Sequence, residues 1–371
     1  MVLKPMWIAE KLRTAAANAG QGDDKVWRRA ARTLYGTFGA LLAGLSALLL
    51  LVDPYRVVPF SLPLKREIVD ANQRWLYPMV VRSGRYDSVV IGTSTVRLLD
   101  PADLNAAFGG RFVNLSMNAA TAWEQMQVGH LFLREVGPPR TAVIGLEKRI
   151  WCYAAADQER VTARGFPQWM YDDDPWNDLF YLFNRKTVEI AGRMIANALG
   201  LLRPRIRHDG YAVFVPPDAS YDLERARRGI WGSGPRKVTA VAPPVTLSEA
   251  EKRALLMPAL DWLDGFAAQL SGRSRVIFAS MPIHIAAQAA PGSYEAAVHA
   301  ECTARIAAIA RRTGALYVDW AVPSSITTQD DNYWDAVHYR LRFAPIIIRG
   351  LASATAENGD PPEGTFRVLA P

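Results

Sequence analysis

The sequence predicts an α/β fold, a parallel sheet covered by helices on both faces, set behind one N-terminal membrane-spanning helix. Two observations carry this. Short apolar, β-branched runs alternate with helical patterns, and a single uncharged apolar stretch lies near the N-terminus. That stretch, residues 33–52, reads TLYGTFGALLAGLSALLLLV. About 20 residues at 1.5 Å each match a hydrocarbon core of roughly 30 Å. A long polar, Ala-rich segment (1–32) precedes it and Val52-Asp53-Pro54 lacks a small-x-small cleavage pattern, so the expectation is an uncleaved anchor rather than a signal peptide. Lys25, Arg28, Arg29 and Arg32 lie upstream, whereas Asp53 opens the far side, with Arg56, Lys65 and Arg66 further out. The positive-inside bias then puts residues 1–32 in the cytoplasm and everything after Asp53 outside it. In a Gram-negative cell this means a single-pass inner (plasma) membrane protein with a periplasmic, extracytoplasmic working domain.

Residues 53–86 carry Pro54, Pro59, Pro63 and Pro78 and read as a connector without chemistry. The α/β domain is expected over 87–353. SVVIG (88–92) has the form of a buried parallel strand, and RFVNLSM (111–117), TAVIGLE (141–147), RVIFASMP (275–282) and ALYVDW (315–320) repeat it. Helical patterns cover 121–136, then 248–270 behind a Ser248-x-x-Glu251 capping box, then 293–313 up to Gly314. The interval 151–247 breaks this alternation with Trp151, Trp169, Trp176, Trp231, the run Asp172-Asp173-Asp174 and a helical stretch at 178–202. It reads as an insertion. Two roles stay open for it: a lid over the carboxyl edge of the sheet, where ligands bind in open α/β folds, or a subdomain that covers apolar surface. The tail 354–371 is polar and rich in Pro and Gly, and is expected to be flexible.

Composition narrows the function. The chain has 371 residues, half of them hydrophobic, enough for a sizeable core, and its net charge of +7 is scattered without any nucleic-acid-binding signature. No nucleic-acid partner is expected, and a membrane surface explains the basic balance more simply. Cys152 and Cys302 lack metal-ligand spacing, so no metal and no cofactor is expected. Whether the two pair in a disulfide stays open, because sequence gives no distance between their sulfurs.

Two motifs carry chemistry. In SVVIGTSTVRLLDP (88–101) a buried strand ends at Gly92, which places Ser94 at the carboxyl edge, at the expected start of a helix whose N–H groups stabilise an oxyanion. In DNYWDAVHYR (331–340), Asp335 precedes His338 by three residues. At that spacing the carboxylate reaches Nδ1–H and turns Nε2 toward a nucleophile from elsewhere in the chain. Ser94 alone reads equally as a helix cap, and Asp335 and His338 as surface residues; together, in a chain with five histidines, they point to a triad.

This pattern resembles the SGNH/GDSL hydrolase superfamily, in which a nucleophilic Ser follows the first strand and D-x-x-H comes late. The resemblance spans roughly residues 87–350 and is specific at its two ends. It implies a three-layer, flavodoxin-like α/β/α fold, Ser94 as nucleophile, His338 as general base and Asp335 as its orienting partner. The family's G-D-S stands here as Gly92-Thr93-Ser94, and its later blocks are degenerate. Asn118, past the second strand, is the candidate oxyanion donor, and Glu147 stands where an Asn is usual. Among membrane-anchored members the chain is similar to the D-alanyl transfer protein of teichoic acid modification and to SGNH domains of polysaccharide O-acetylation. The implied activity is a serine esterase or O-acyltransferase on a cell-envelope or exported polysaccharide, with a glycan or acylated substrate. The implied partners are a membrane-bound O-acyltransferase or the polysaccharide synthesis machinery. The alternative is a catalytically silent scaffold or glycan-binding subunit. Arg97, Trp123, His284 and Trp334 are the candidate substrate-binding residues, each with a structural alternative: Arg97 paired with Asp100, His284 a structural histidine, and the tryptophans part of the core. Trp151, Trp169 and Trp176 stand as further stacking candidates, and His130, His208 and His299 have no ligand-like partners.

Overall fold

The computed structural model describes residues 6–153, 161–355 and 364–370. Helix α1 (Met6–Val52) runs straight through the segment read as a polar tail, and its part from Asp24 to Val52 is long and apolar enough to cross a membrane. Its end is closed by side chains. Asp53 accepts the N–H groups of Val57 and Val58, and the buried Arg66 guanidinium donates to the carbonyls of Val52, Asp53 and Leu62. A cation there satisfies last-turn carbonyls that would otherwise be stranded.

The connector expectation is corrected. Residues 53–86 are part of the core: Tyr55, Ile68, Leu76 and Tyr77 are fully buried, and residues Gln73–Val81 form α2, capped by Asn72. The prolines disguised this, since they sit in the turns and in a helix too short to show a period.

Six strands form one sheet in the order β2-β1-β3-β4-β5-β6. They are β1 (Ser88–Ile91), β2 (Phe112–Asn114), β3 (Thr141–Gly145), β4 (Arg275–Ser280), β5 (Leu316–Asp319) and β6 (Arg367–Ala370). The first five pair in parallel, and β6 lies antiparallel on β5. The tail is therefore not wholly flexible: its last residues protect the β5 edge, a role that a short segment after a Pro/Gly-rich stretch does not announce.

Helices α3 (Pro101–Phe108) and α4 (Ala122–Glu135) follow β1 and β2, the latter opened by a Thr121–Glu124 capping box. The insertion contributes α5 (Lys148–Trp151), α6 (Pro175–Tyr181), α7 (Arg185–Ala198) and α8 (Leu223–Trp231). The single helix expected at 248–270 is two, α9 (Glu249–Ala254) and α10 (Pro258–Leu270). Pro258 has no N–H to extend a helix and drives Met257 out of the helical region, to φ −138° and ψ 65°. Helices α11 (Tyr294–Thr313), ended by left-handed Gly314, and α12 (Ala344–Thr355) complete the set.

Alternate residues of β1 enter different cores. Val89 and Ile91 join side chains of α4, α10 and α11, while Val90 joins Leu104 of α3 and Ile347 of α12. The insertion is bound at several points. Ala191 of α7 packs on Leu49 and Val52 of α1, and the Asp209 carbonyl accepts from Asn114 N–H at the outer edge of β2. Gly210 permits that approach: its φ is +81°, and a Cβ there would lie 2.0 Å from the Asn114 carbonyl oxygen. A disulfide between Cys152 and Cys302 joins the end of α5 to α11, which settles the open cysteine question.

Candidate active site

The turn that carries Ser94 is built from packing. After β1 the chain must turn sharply, and Gly92 allows it, because a Cβ there would meet Val96 Cγ2 at 2.5 Å. Asn114 of β2 holds the turn by donating Nδ2–H to the Val96 and Leu99 carbonyls, both at 3.0 Å. From Ser88 to Leu99 every residue is buried except Ser94, so the turn presents one hydroxyl. The expected helix start is corrected here. Residues 93–99 form successive turns, and α3 begins only at Pro101, so Ser94 does not stand at the start of a helix.

The late motif meets this turn. Ser94 Oγ lies 2.8 Å from His338 Nε2, and His338 Nδ1 lies 2.7 Å from Asp335 Oδ2. Asp335 Oδ1 accepts from the N–H groups of Val337 and His338 at 2.8 and 2.9 Å. Burial pushes the Asp335 carboxyl up, but the His338 hydrogen bond and charge and these N–H donors outweigh it, so its pKa is lowered. The loop is braced independently. Tyr333 and Tyr339 bridge as antiparallel backbone, Trp334 N–H donates to the His338 carbonyl, and the Tyr339 hydroxyl donates to the Thr95 carbonyl at 2.8 Å. Tyr339 thereby locks the histidine loop to the serine turn.

Arg97 is buried and does not reach Asp100, which pairs instead with Arg207. It donates to Asn118 Oδ1 at 2.6 Å, and its guanidinium lies 5.0 Å over the Phe214 ring. Because arginine can only donate, it fixes the Asn118 amide with the oxygen toward Arg97 and Nδ2–H₂ on the amide's other side. Arg74 Nη2 holds the Asn118 carbonyl at 3.1 Å. Glu147 sits beside the Ser94 turn, accepting from Thr95 Oγ1 at 2.8 Å, and burial raises its pKa against the opposing effects of Thr95 and His338.

Three candidates do not join this group. His284 is fully buried; its Nδ1 accepts from Ala286 N–H, its Nε2 lies 3.2 Å from Asp330 Oδ1, and its backbone N–H donates to the Ala336 carbonyl. It braces the Asp335–His338 loop from behind. Trp334 packs its ring on Tyr221, and Trp123 packs on Phe166. Trp151 is core, Trp169 meets Tyr55 edge-to-face, and Trp176 is exposed. Sequence reasoning missed Phe214, whose ring meets His338 edge-on at 5.3 Å, along with Arg74, Thr95 and Tyr339. Thr95 and Tyr339 adjoin motif residues and were within reach; Phe214 lies in the insertion, where no pattern marks it. The insertion thus both covers apolar surface and supplies an aromatic wall to the site.

A cavity of about 540 Å³ has Glu147 and Val337 in its walls, but Ser94, Asp335 and His338 do not line it. Its walls include Met281 after β4, Asp319 of β5, and His299 and Thr303 of α11. The disulfide ties two of its walls, α5 and α11. Among the described residues no cluster of His, Cys, Asp or Glu has a metal-binding arrangement. No family model matches the chain, and no curated protein matches it.

Proposed function

We propose that the protein is a membrane-anchored, extracytoplasmic serine acyltransferase or esterase of the SGNH type, acting on a cell-envelope or exported polysaccharide. The observation that carries the reading is the continuous hydrogen-bonded chain Ser94–His338–Asp335, assembled from segments 244 residues apart. Ser94 Oγ attacks an acyl carbonyl while His338 Nε2 takes its proton. Collapse of the tetrahedral intermediate expels the donor's alkoxide, which receives that proton, and leaves an acyl-Ser94 ester. A sugar hydroxyl or water then gives its proton to His338 and attacks the ester, and Ser94 leaves with the proton restored. The Asn118 amide, whose oxygen is held by Arg97, is the side-chain donor proposed for the oxyanion.

The two cores on opposite sides of β1 support the three-layer arrangement of the superfamily, and the disulfide supports an oxidising compartment, in line with the cationic cluster that precedes the span. The anchor holds the domain beside a membrane-bound acyl-export partner, which favours transfer over hydrolysis.

The test uses the full chain in detergent. It should hydrolyse small activated acyl esters and be labelled at Ser94 by a serine-directed phosphonate, and Ser94→Ala should lower turnover by at least about 10³-fold. Undiminished turnover in Ser94→Ala defeats this assignment. The scaffold reading is favoured instead if cells carrying Ser94→Ala with His338→Ala acylate the polymer normally. A reporter fused to the C-terminus that is active only in the cytoplasm overturns the orientation.

A further inference from the structure

The exposed apolar side chains beyond the anchor are unevenly placed. Phe60 and Leu62 lie on the loop after α1, exposed at 66% and 44%, and Leu199 and Leu201 lie just past the end of α7, exposed at 69% and 78%. The fold brings these two tips together at the end of the anchor. Leu62 N–H donates to the carbonyl of Leu51, in the last turn of α1, at 2.8 Å. Ile195 of α7 packs against the Leu49 and Val52 cluster, and an isolated bridge between Ile68 and Ile206 stitches the two segments side by side. Between them and the anchor runs an apolar groove of about 650 Å³, with Leu48 and Met194 among its walls. It is continuous with the apolar surface of α1. Each tip is followed by exposed cations, Lys65 after the first and Arg203 and Arg205 after the second. Lys65 also pairs with Glu67.

An apolar face bounded by Lys and Arg, continuous with a spanning helix, has the chemistry of an interfacial membrane contact. Water would leave four large side chains hydrated at one spot, whereas acyl chains cover them and anionic headgroups meet the cations. We propose that loop 60–64 and residues 199–201 form an apolar foot that enters the bilayer crossed by α1, with an acyl chain lying in the groove and Lys65, Arg203 and Arg205 at the phosphate level. The domain then rests on the membrane at a fixed angle rather than swinging on a tether. This rests on the reading of α1 as a membrane span.

The test reconstitutes the full chain in nanodiscs of phosphatidylcholine and phosphatidylglycerol, with nitroxide labels on single introduced cysteines: Leu42→Cys in the anchor, Phe60→Cys, Leu201→Cys and, as an apolar control far along the sequence, Leu256→Cys. The native cysteines are paired, which leaves the introduced thiol to react. Leu256 is 70% exposed, so it matches the foot in exposure and chemistry. Collisions with oxygen, concentrated in lipid, are compared with collisions with a water-soluble nickel complex. The expected result is an oxygen-to-nickel ratio at positions 42, 60 and 201 several-fold above that at 256. If position 42 shows the high ratio while 60 or 201 matches 256, the foot is overturned and the anchor stands. A position 42 that matches 256 overturns both.

Discussion

Replacing Asp335 by Asn should slow turnover more than replacing it by Ala, because the carboxylate's two oxygens have different work. Oδ1 accepts from two backbone N–H groups, those of Val337 and His338, while Oδ2 faces His338 Nδ1. An Asn amide has one oxygen, and two donors already point at the Oδ1 position. Turning the amide over would set its NH₂ against both, at about 1–3 kcal/mol for each unpaired N–H. The Asp335 side chain is 41% exposed, so water relieves part of this and the lower end applies. About 2 kcal/mol remains, roughly a 30-fold preference for the orientation that points NH₂ at Nδ1. That orientation forces the ring proton onto Nε2, which then faces Ser94 as a donor and cannot accept its proton. Ala imposes no such tautomer. The expected kcat/KM for an activated acetyl ester is therefore at least about tenfold lower for Asp335→Asn than for Asp335→Ala. Circular dichroism checks that both variants are folded. Equal rates, or a faster Asn variant, would refute the division of roles between the oxygens.

Three further outcomes concern stability. Arg74 and Glu124 are both fully buried and joined at 2.6 and 2.9 Å, so Arg74→Met, which strands the carboxylate, should cost about 3–5 kcal/mol. Calorimetry should register this as a Tm drop of roughly 5–10 °C, partly restored by adding Glu124→Leu; an unchanged Tm shows that the pair is not dry. The disulfide closes a span of 150 residues, for which chain entropy alone gives about 5 kcal/mol, so Cys152→Ser with Cys302→Ser should lower Tm and abolish its sensitivity to reductant. Burial, opposed by Arg82, pushes the Asp178 carboxyl up to about 6. The folded state then holds this proton to higher pH than the unfolded chain, whose carboxyl titrates near 3.9. The contribution of Asp178 to stability therefore falls as pH rises from about 4 to about 6. Asp178→Asn should remove that decline, seen as a Tm difference from the wild type that grows over this range.

The sequence by itself determined what rests on local repetition and on rare residues in fixed order. Each of the five parallel strands was legible as an apolar run because it is buried on both faces, α4 was legible from its helical pattern, and α11 from its pattern and the closing Gly314. Ser94, Asp335 and His338 were legible as candidates because a Ser just past a strand's end and an Asp three residues before a His are local arrangements. What lay between the motifs was decided by tertiary contact. Only packing shows that the proline-rich segment 53–86 is core, since Tyr55 and Tyr77 become buried through partners far along the chain. Residues 367–370 carry no strand signal of their own and become one because β5 offers an edge. Arg97 meets Asn118 and His284 meets Asp330 through contacts that the fold makes and local spacing does not encode. Phe214 and Cys302 find their partners across a hundred residues or more, a distance that spacing cannot encode and only the closed fold brings within contact.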